Sequence, residues 1–196
     1  IGLDVELPEG NMIIDIGGGT TDIAVIALSG IVTDQSIRVA GDDFTMDIVE
    51  YIKRQHNILI GERTAEMVKI NVGSALQDLE SPPDDYAVHG RDLLTGIPKQ
   101  VTVAYTEIAG CLDKSISKIE EAIMKALEST PPELASDIYR KGIYLTGGGA
   151  LLRGLDKRIA MKTKLPVKVA DDPLRAVVRG TGIALKNRHR YTFLMS

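Results

Sequence analysis

Apolar and polar positions change period several times along this chain, and each change predicts an element. Met12-Ile13-Ile14-Asp15-Ile16 reads as an apolar strand, Gly17-Gly18-Gly19-Thr20-Thr21 as a turn, and Ile23-Ala24-Val25-Ile26 as a second strand. The pattern is a hairpin around a polar tip. Ile31 to Val39 supplies a third strand, after which Gly41-Asp42-Asp43 offers capping carboxylates to a helix in which Phe44, Ile48 and Ile52 recur at helical spacing. A shorter helix runs from Glu62 to about Val72, and the polar stretch Asp78 to Asp85, with Pro82-Pro83, is a surface loop.

Two short strand-like runs within Tyr86 to Tyr105 flank Gly90-Arg91-Asp92 and Gly96-Ile97-Pro98, and Val101-Thr102-Val103 alternates like a half-exposed strand. A small sheet is expected here. Thr106-Glu107 then opens a long helix whose stripe is Ile108, Leu112, Ile116, Ile119, Ile123 and Leu127, ended by Pro131-Pro132. Asp137 to Lys141 leads into the strand Gly142-Ile143-Tyr144-Leu145, a second glycine turn at Gly147-Gly148-Gly149, and a helix starting near Leu151. Val167-Lys168-Val169 is a last strand, and Pro173 suits the first position of a last helix. The class is mixed α/β.

Composition narrows the picture. The 196 residues are 44% hydrophobic and 26% charged, which suits one large globular domain or a domain carrying an inserted lobe. A net charge of −4, with cations scattered among acids, lacks the basic face that nucleic-acid binding requires. The single cysteine, Cys111, lies in the apolar stripe of the long helix, a packing position that suits a reducing compartment and a cytosolic protein. No run approaches the roughly 20 apolar residues of a membrane span, and Ile1 to Gly10 does not resemble a signal peptide. A first residue other than Met hints at a processed or truncated chain. His56 and His89 have neither paired cysteines nor helical spacing, so a metal cluster is not expected from them. The tail from Arg188 to Met195 mixes cations with apolar residues, a composition open to contact with an anionic membrane, to packing or to disorder.

Both Gly-Gly-Gly elements directly follow apolar strands. Three glycines remove every β-carbon and permit positive φ, so backbone amides can approach an anion, most often a phosphate; glycine turns at strand ends also serve structure alone. Asp15 stands in an otherwise apolar strand just before the first turn, where burial alone would favour Val or Ile, so its carboxylate is expected to face a polar cleft. A magnesium ion held through water is a natural use for such an acid beside a phosphate loop. Thr20, Thr21 and Asp22 could orient phosphate oxygens or water, or could satisfy the turn's own backbone. Thr146 to Ala150 lies between a strand and a helix, where its amides could join a helix N-terminus in facing a nucleotide. Glu66 and Lys69, three positions apart, share one face of their helix and could form a surface ion pair or a polar contact to a ligand.

Taken together, Asp15 to Asp22, Gly61-Glu62-Arg63-Thr64-Ala65-Glu66 and Leu145 to Ala150 resemble, in order and spacing, the second domain of the actin, sugar-kinase and heat-shock-chaperone ATPase superfamily. The resemblance implies an actin-like, ribonuclease H-like ATPase domain over residues 11–42 and 110–187, an inserted small α+β lobe over 43–109 and a tail over 188–196. It implies that Gly17, Gly18, Gly19 and Thr20 face phosphates, with Thr20 as the candidate catalytic residue. Glu66 and Lys69 would face ribose or adenine, Gly147, Gly148, Gly149 and Ala150 the adenosine, and Asp15 a water-bound Mg2+.

Ser36 to Asp42, Gly90-Arg91-Asp92-Leu93, Thr130 to Ala135 and Leu151 to Asp156 resemble the bacterial actins of the MreB type, across nearly the whole chain. That branch implies ATP-dependent self-association into protofilaments that guide cell shape and wall synthesis. It also implies a cytoplasmic location at the inner face of the cell membrane and partnership with wall-synthesis and membrane proteins. A chaperone-like or FtsA-type, division-associated ATPase is the alternative from the same fold; a scaffold with purely structural glycine turns is another. Asp22 stands where many relatives would carry Glu. No counterpart of the superfamily's first phosphate loop precedes Asn11, so this chain alone is expected to hydrolyse ATP negligibly.

Overall fold

The computed structural model describes residues 1–187; the tail beginning at Arg188 lies outside the described residues. Its main sheet contains β1 (Asn11–Ile16), β2 (Thr21–Ala27), β3 (Gly30–Ile37), β7 (Ile143–Thr146) and β8 (Val167–Val169), in the order β3-β2-β1-β7-β8. The hairpins β1/β2 and β2/β3 are antiparallel, whereas β7 joins β1 and β8 in parallel. Alternation explains which face is buried. Met12, Ile14 and Ile16 on β1 and Ile23 and Val25 on β2 are essentially inaccessible, while their neighbours Ile13, Asp15, Asp22 and Ala24 are not.

The parallel partner β7 can be reached only by a long crossover, which the intervening helices supply. Of these, α3 (Tyr105–Glu128) lies over β2 and β3 and buries Ile108, Leu112, Ile116, Ile119 and Ile123 in one continuous core with the sheet. Each such side chain contributes about 1.5–3 kcal/mol by leaving water. Two further helices, α1 (Gly41–His56) and α2 (Glu62–Val72), pack on each other and on α3. A second sheet, β4-β5-β6, is built from β4 (Ile58–Leu59), β5 (Tyr86–Asp92) and β6 (Pro98–Val103).

Three features depart from the sequence pattern. Pro131-Pro132 does end α3, but Pro132 also opens α4 (Pro132–Lys141), its missing N–H costing nothing in a first turn. Only Asp137 and Ile138 of α4 are buried, too few to write an apolar stripe. The helix expected near Leu151 begins later: Gly148–Leu151 forms a 3₁₀ turn, and α5 runs Leu155–Thr163 after Gly154, whose φ of 73° interrupts any right-handed helix. Pro173–Arg175 is likewise a 3₁₀ turn that leads into α6 (Ala176–Lys186). Finally, the small sheet has a third strand, because Ile58 and Leu59 pair with Asp92 and Arg91; two residues are too short to show a period.

Candidate functional site

Parallel pairing of β1 with β7 sets the two glycine turns side by side. The register runs from Met12 opposite Ile143 to Asp15 opposite Thr146, so both turns leave the same carboxyl edge of adjacent strands. Ligand sites in α/β sheets form at such edges. The fit is tight. Gly147 has φ 82°, and a β-carbon on it would overlap the Ile16 carbonyl and the Asp15 carboxylate; one on Gly149 would overlap the Ile16 side chain. Glycine is therefore required at both positions for the turns to touch.

The first turn is closed by the Gly17 amide donating to the Thr20 carbonyl at 2.9 Å. The N-terminus of α1 holds it from behind: the Gly41 amide donates to the Gly17 carbonyl at 3.1 Å and the Asp42 amide to the Gly18 carbonyl at 2.8 Å. Gly18, Gly19 and Thr20 are exposed, and among the described residues their amides donate to no carbonyl. Anchored carbonyls and open amides make a cradle for an anion. The threonine hydroxyls are already engaged: Thr20 donates to Asp22 Oδ2 at 2.9 Å, and buried Thr21 donates to the Val39 carbonyl at 2.7 Å. Ser36 also donates to Asp22, at 2.6 Å, so that carboxylate joins the tip to β3.

Asp15 is half-buried beside these turns. Burial, and secondly the neighbouring charge of Asp22, raise its pKa above the ordinary carboxylate value. A cation at this spot would relieve both effects. The second turn differs from expectation in one respect: its amides enter a 3₁₀ turn, not the N-terminus of an α-helix, so little macrodipole is available. Gly147 donates to the Pro173 carbonyl at 3.1 Å, which leaves Gly148 and Gly149 as the accessible part. The Ala150 side chain belongs to the core.

Glu66 and Lys69 do pair, at 2.7 Å, but not as a free surface pair. The Lys69 side chain is only 15% exposed, and its ammonium also donates to the Gly41 carbonyl at 2.8 Å and to Thr45 Oγ1 at 3.0 Å. Because Gly41 is bonded to Gly17, this network reaches the first glycine turn. Burial opposes ionisation of Glu66, yet hydrogen bonds from Lys69 and Thr45 and the Lys69 charge outweigh it, and the pKa is lowered. In front of the pair opens a groove of about 460 Å³ lined by Asp42, Thr45, Met46, Glu62, Arg63 and Glu66. A larger groove of about 720 Å³ between α1 and α3 shares no residue with either glycine turn.

Sequence reasoning did not place Asp42 or Thr45 at this site. Asp42 shows there only as a helix-capping acid, but its carboxylate lies 3.3 Å from where a Gly18 β-carbon would sit. Thr45 falls on the buried side of α1, and nothing in its neighbours distinguishes it from a packing residue.

A mixed sheet with paired glycine turns at adjacent strand ends, and a helical lobe attached at the same edge, defines an actin-like fold. The MreB/Mbl protein family model matches residues 1–192. The cell shape-determining protein Mbl of Bacillus subtilis (strain 168) is 48% identical over 186 residues, covering 95% of this chain and 55% of the relative. The crystal structure of MreB 5 of Spiroplasma citri bound to AMPPNP superposes with a TM-score of 0.92 at 43% identity, covering 100% of this chain and 58% of that one. The MamK double helical filament superposes with a TM-score of 0.68 at 25% identity, covering 84% and 50%. The chain belongs to the MreB/Mbl family of cell shape-determining proteins, and it spans about half the length of the curated relatives it matches.

Proposed function

We propose that these residues form one wall of a nucleotide cleft in an actin-like cytoskeletal protein that polymerises with ATP into filaments directing cell shape and wall synthesis. The observation that carries the reading is the convergence of open amides, from Gly18, Gly19 and Gly148, with the Glu66–Lys69 network on one edge of the sheet. Phosphates fit the amides, because no β-carbon blocks their approach, and a nucleoside fits the polar groove beside Glu66. Asp15 would hold a magnesium ion through water. That ion, when bound, neutralises phosphate charge. Thr20, tied to Asp22, is the candidate for orienting a phosphate oxygen. A neighbour of this fold bound to AMPPNP and another seen as a filament support nucleotide binding and self-association respectively.

The division into residues 11–42 with 110–187 and an inserted lobe of 43–109 belongs to the same proposal, with limits that fall inside α1 and α3. So does a location in the cytoplasm at the inner face of the membrane, beside wall-synthesis proteins. No helix among the described residues is long and apolar enough to cross a membrane. Val177, Val178, Ile183 and Leu185 on α6 are all more than half exposed, an apolar surface suited to packing against the remainder of a longer chain.

Titration of ATP with magnesium against the chain and against Gly18→Val tests the reading. A clear loss of affinity in the variant supports it, and equal affinities contradict it.

A further inference from the structure

Thr45 has one hydroxyl proton and two acceptors for it. Its Oγ1 lies 2.8 Å from Glu66 Oε2 and 3.1 Å from the Gly41 carbonyl, one turn back along α1, while Lys69 donates to the same oxygen from 3.0 Å. The residue is 7% exposed, so water does not compete freely for the hydroxyl. Lys69 meets the same Gly41 carbonyl at 2.8 Å and the same Glu66 carboxylate at 2.7 Å. Four groups from two helices thus close a polar ring, with Thr45 and Lys69 each touching both Glu66 and Gly41. Gly41 is in turn bonded through its amide to Gly17. The ring lies between the groove and the first glycine turn.

From this geometry we infer that Thr45 is the positioning residue of the site: its hydroxyl fixes Glu66 and Lys69 for a nucleoside and registers them against the phosphate-facing turn. The inference rests on the nucleotide reading proposed above and deepens it. Thr45 need not touch the ligand. With its proton on Glu66, the hydroxyl leaves the carboxylate's other oxygen for a ribose hydroxyl or a base amino group. If a ligand shifts Glu66, the proton can turn to the Gly41 carbonyl, and no buried donor is left unpaired. A valine has the same shape and removes the hydroxyl, leaving the Lys69 ammonium one acceptor short. Serine keeps the hydroxyl.

The test measures equilibrium binding of Mg·ADP and of magnesium tripolyphosphate to the chain and to its Thr45→Val and Thr45→Ser variants, together with the Glu66 carboxyl titration by NMR. Loss of one such hydrogen bond predicts about a 5- to 10-fold weaker hold on Mg·ADP in Thr45→Val, with tripolyphosphate binding unchanged. Thr45→Ser should come within about twofold of the unmodified chain, since it restores the donor. The Glu66 titration should move upward in Thr45→Val and return in Thr45→Ser. Unchanged Mg·ADP affinity, a parallel loss of both ligands, or an unmoved Glu66 titration in Thr45→Val would each overturn the inference. If the unmodified chain binds neither ligand, the nucleotide reading fails and this role fails with it; that result is distinct from failure confined to the Thr45 variants.

Discussion

Gly147 lies against Asp15 so closely that no β-carbon fits between the turn of one strand and the carboxylate of the next. The contact joins the two glycine turns into one surface, and it separates glycines required by the fold from glycines free to serve a ligand. Gly147→Ala combines a φ of 82° with steric overlap, and should cost at least about 2 kcal/mol. In a chain of this size that lowers the melting temperature by roughly 4–8 °C. Gly18→Ala meets only the Asp42 carboxylate, at 3.3 Å, and should change stability by no more than about 0.5 kcal/mol. Thermal melts of the two variants, side by side, check the distinction.

Asp15 carries a raised pKa because burial, then Asp22, disfavour its charge. The ionised form therefore weakens the fold: stability from this group falls as pH rises from the ordinary carboxylate value through the raised one. Asp15→Asn should raise the melting temperature at neutral pH, with the gain vanishing in acid where the native carboxyl is protonated. The same variant should lose the magnesium dependence of nucleotide binding. A melt series from pH 3 to pH 8, on the order of one unit per step, follows the first effect across the carboxylate range.

Tyr51 donates to Glu107 at 3.0 Å, and burial, that hydrogen bond and the Glu107 charge push its pKa up to about 12. The stability this gives is full below the unfolded tyrosine value, about 10, and is lost as pH rises through the folded value. Glu107→Gln should bring Tyr51 down part of the way, because burial remains. An ultraviolet difference titration against Tyr51→Phe isolates this phenol from the chain's other tyrosines, with no tryptophan to overlap the signal.

Burial, with the nearby Asp47 charge, also pushes the Cys111 thiol up to about 12. As the sole cysteine, it gives an unambiguous signal with a thiol reagent. At pH near 8 the native chain should react roughly two to three orders of magnitude more slowly than the unfolded one. Equal rates would contradict the packing shown here.

Local patterns carried most of the fold into the sequence. Alternation in Met12 to Ile16, the stripe from Ile108 to Ile123, and glycine triplets after apolar strands all depend on neighbours a few residues away. What was illegible depends on distant partners. Ile58 and Leu59 become a strand only because Asp92 and Arg91 pair with them, and α4 is held through Ile138 and the bond from Gly10 to Asp137 at 2.9 Å. Helical spacing put Glu66 and Lys69 on one face, but the carbonyl of Gly41 and the hydroxyl of Thr45 that draw Lys69 inward lie 28 and 24 residues earlier. The fixing of Asp42 beside Gly18 likewise comes from a backbone bond across the turn, which no spacing records.

Backbone amide shifts of the isotope-labelled chain, followed by NMR during titration with Mg·ADP, test the central claim most directly. The amides of Gly18, Gly19 and Gly148 should move with one common saturation curve, together with that of Glu66, while His89 in the small sheet stays in place. Saturable shifts confined to other residues, or none at any of these glycines, would contradict a nucleotide site on this edge of the sheet.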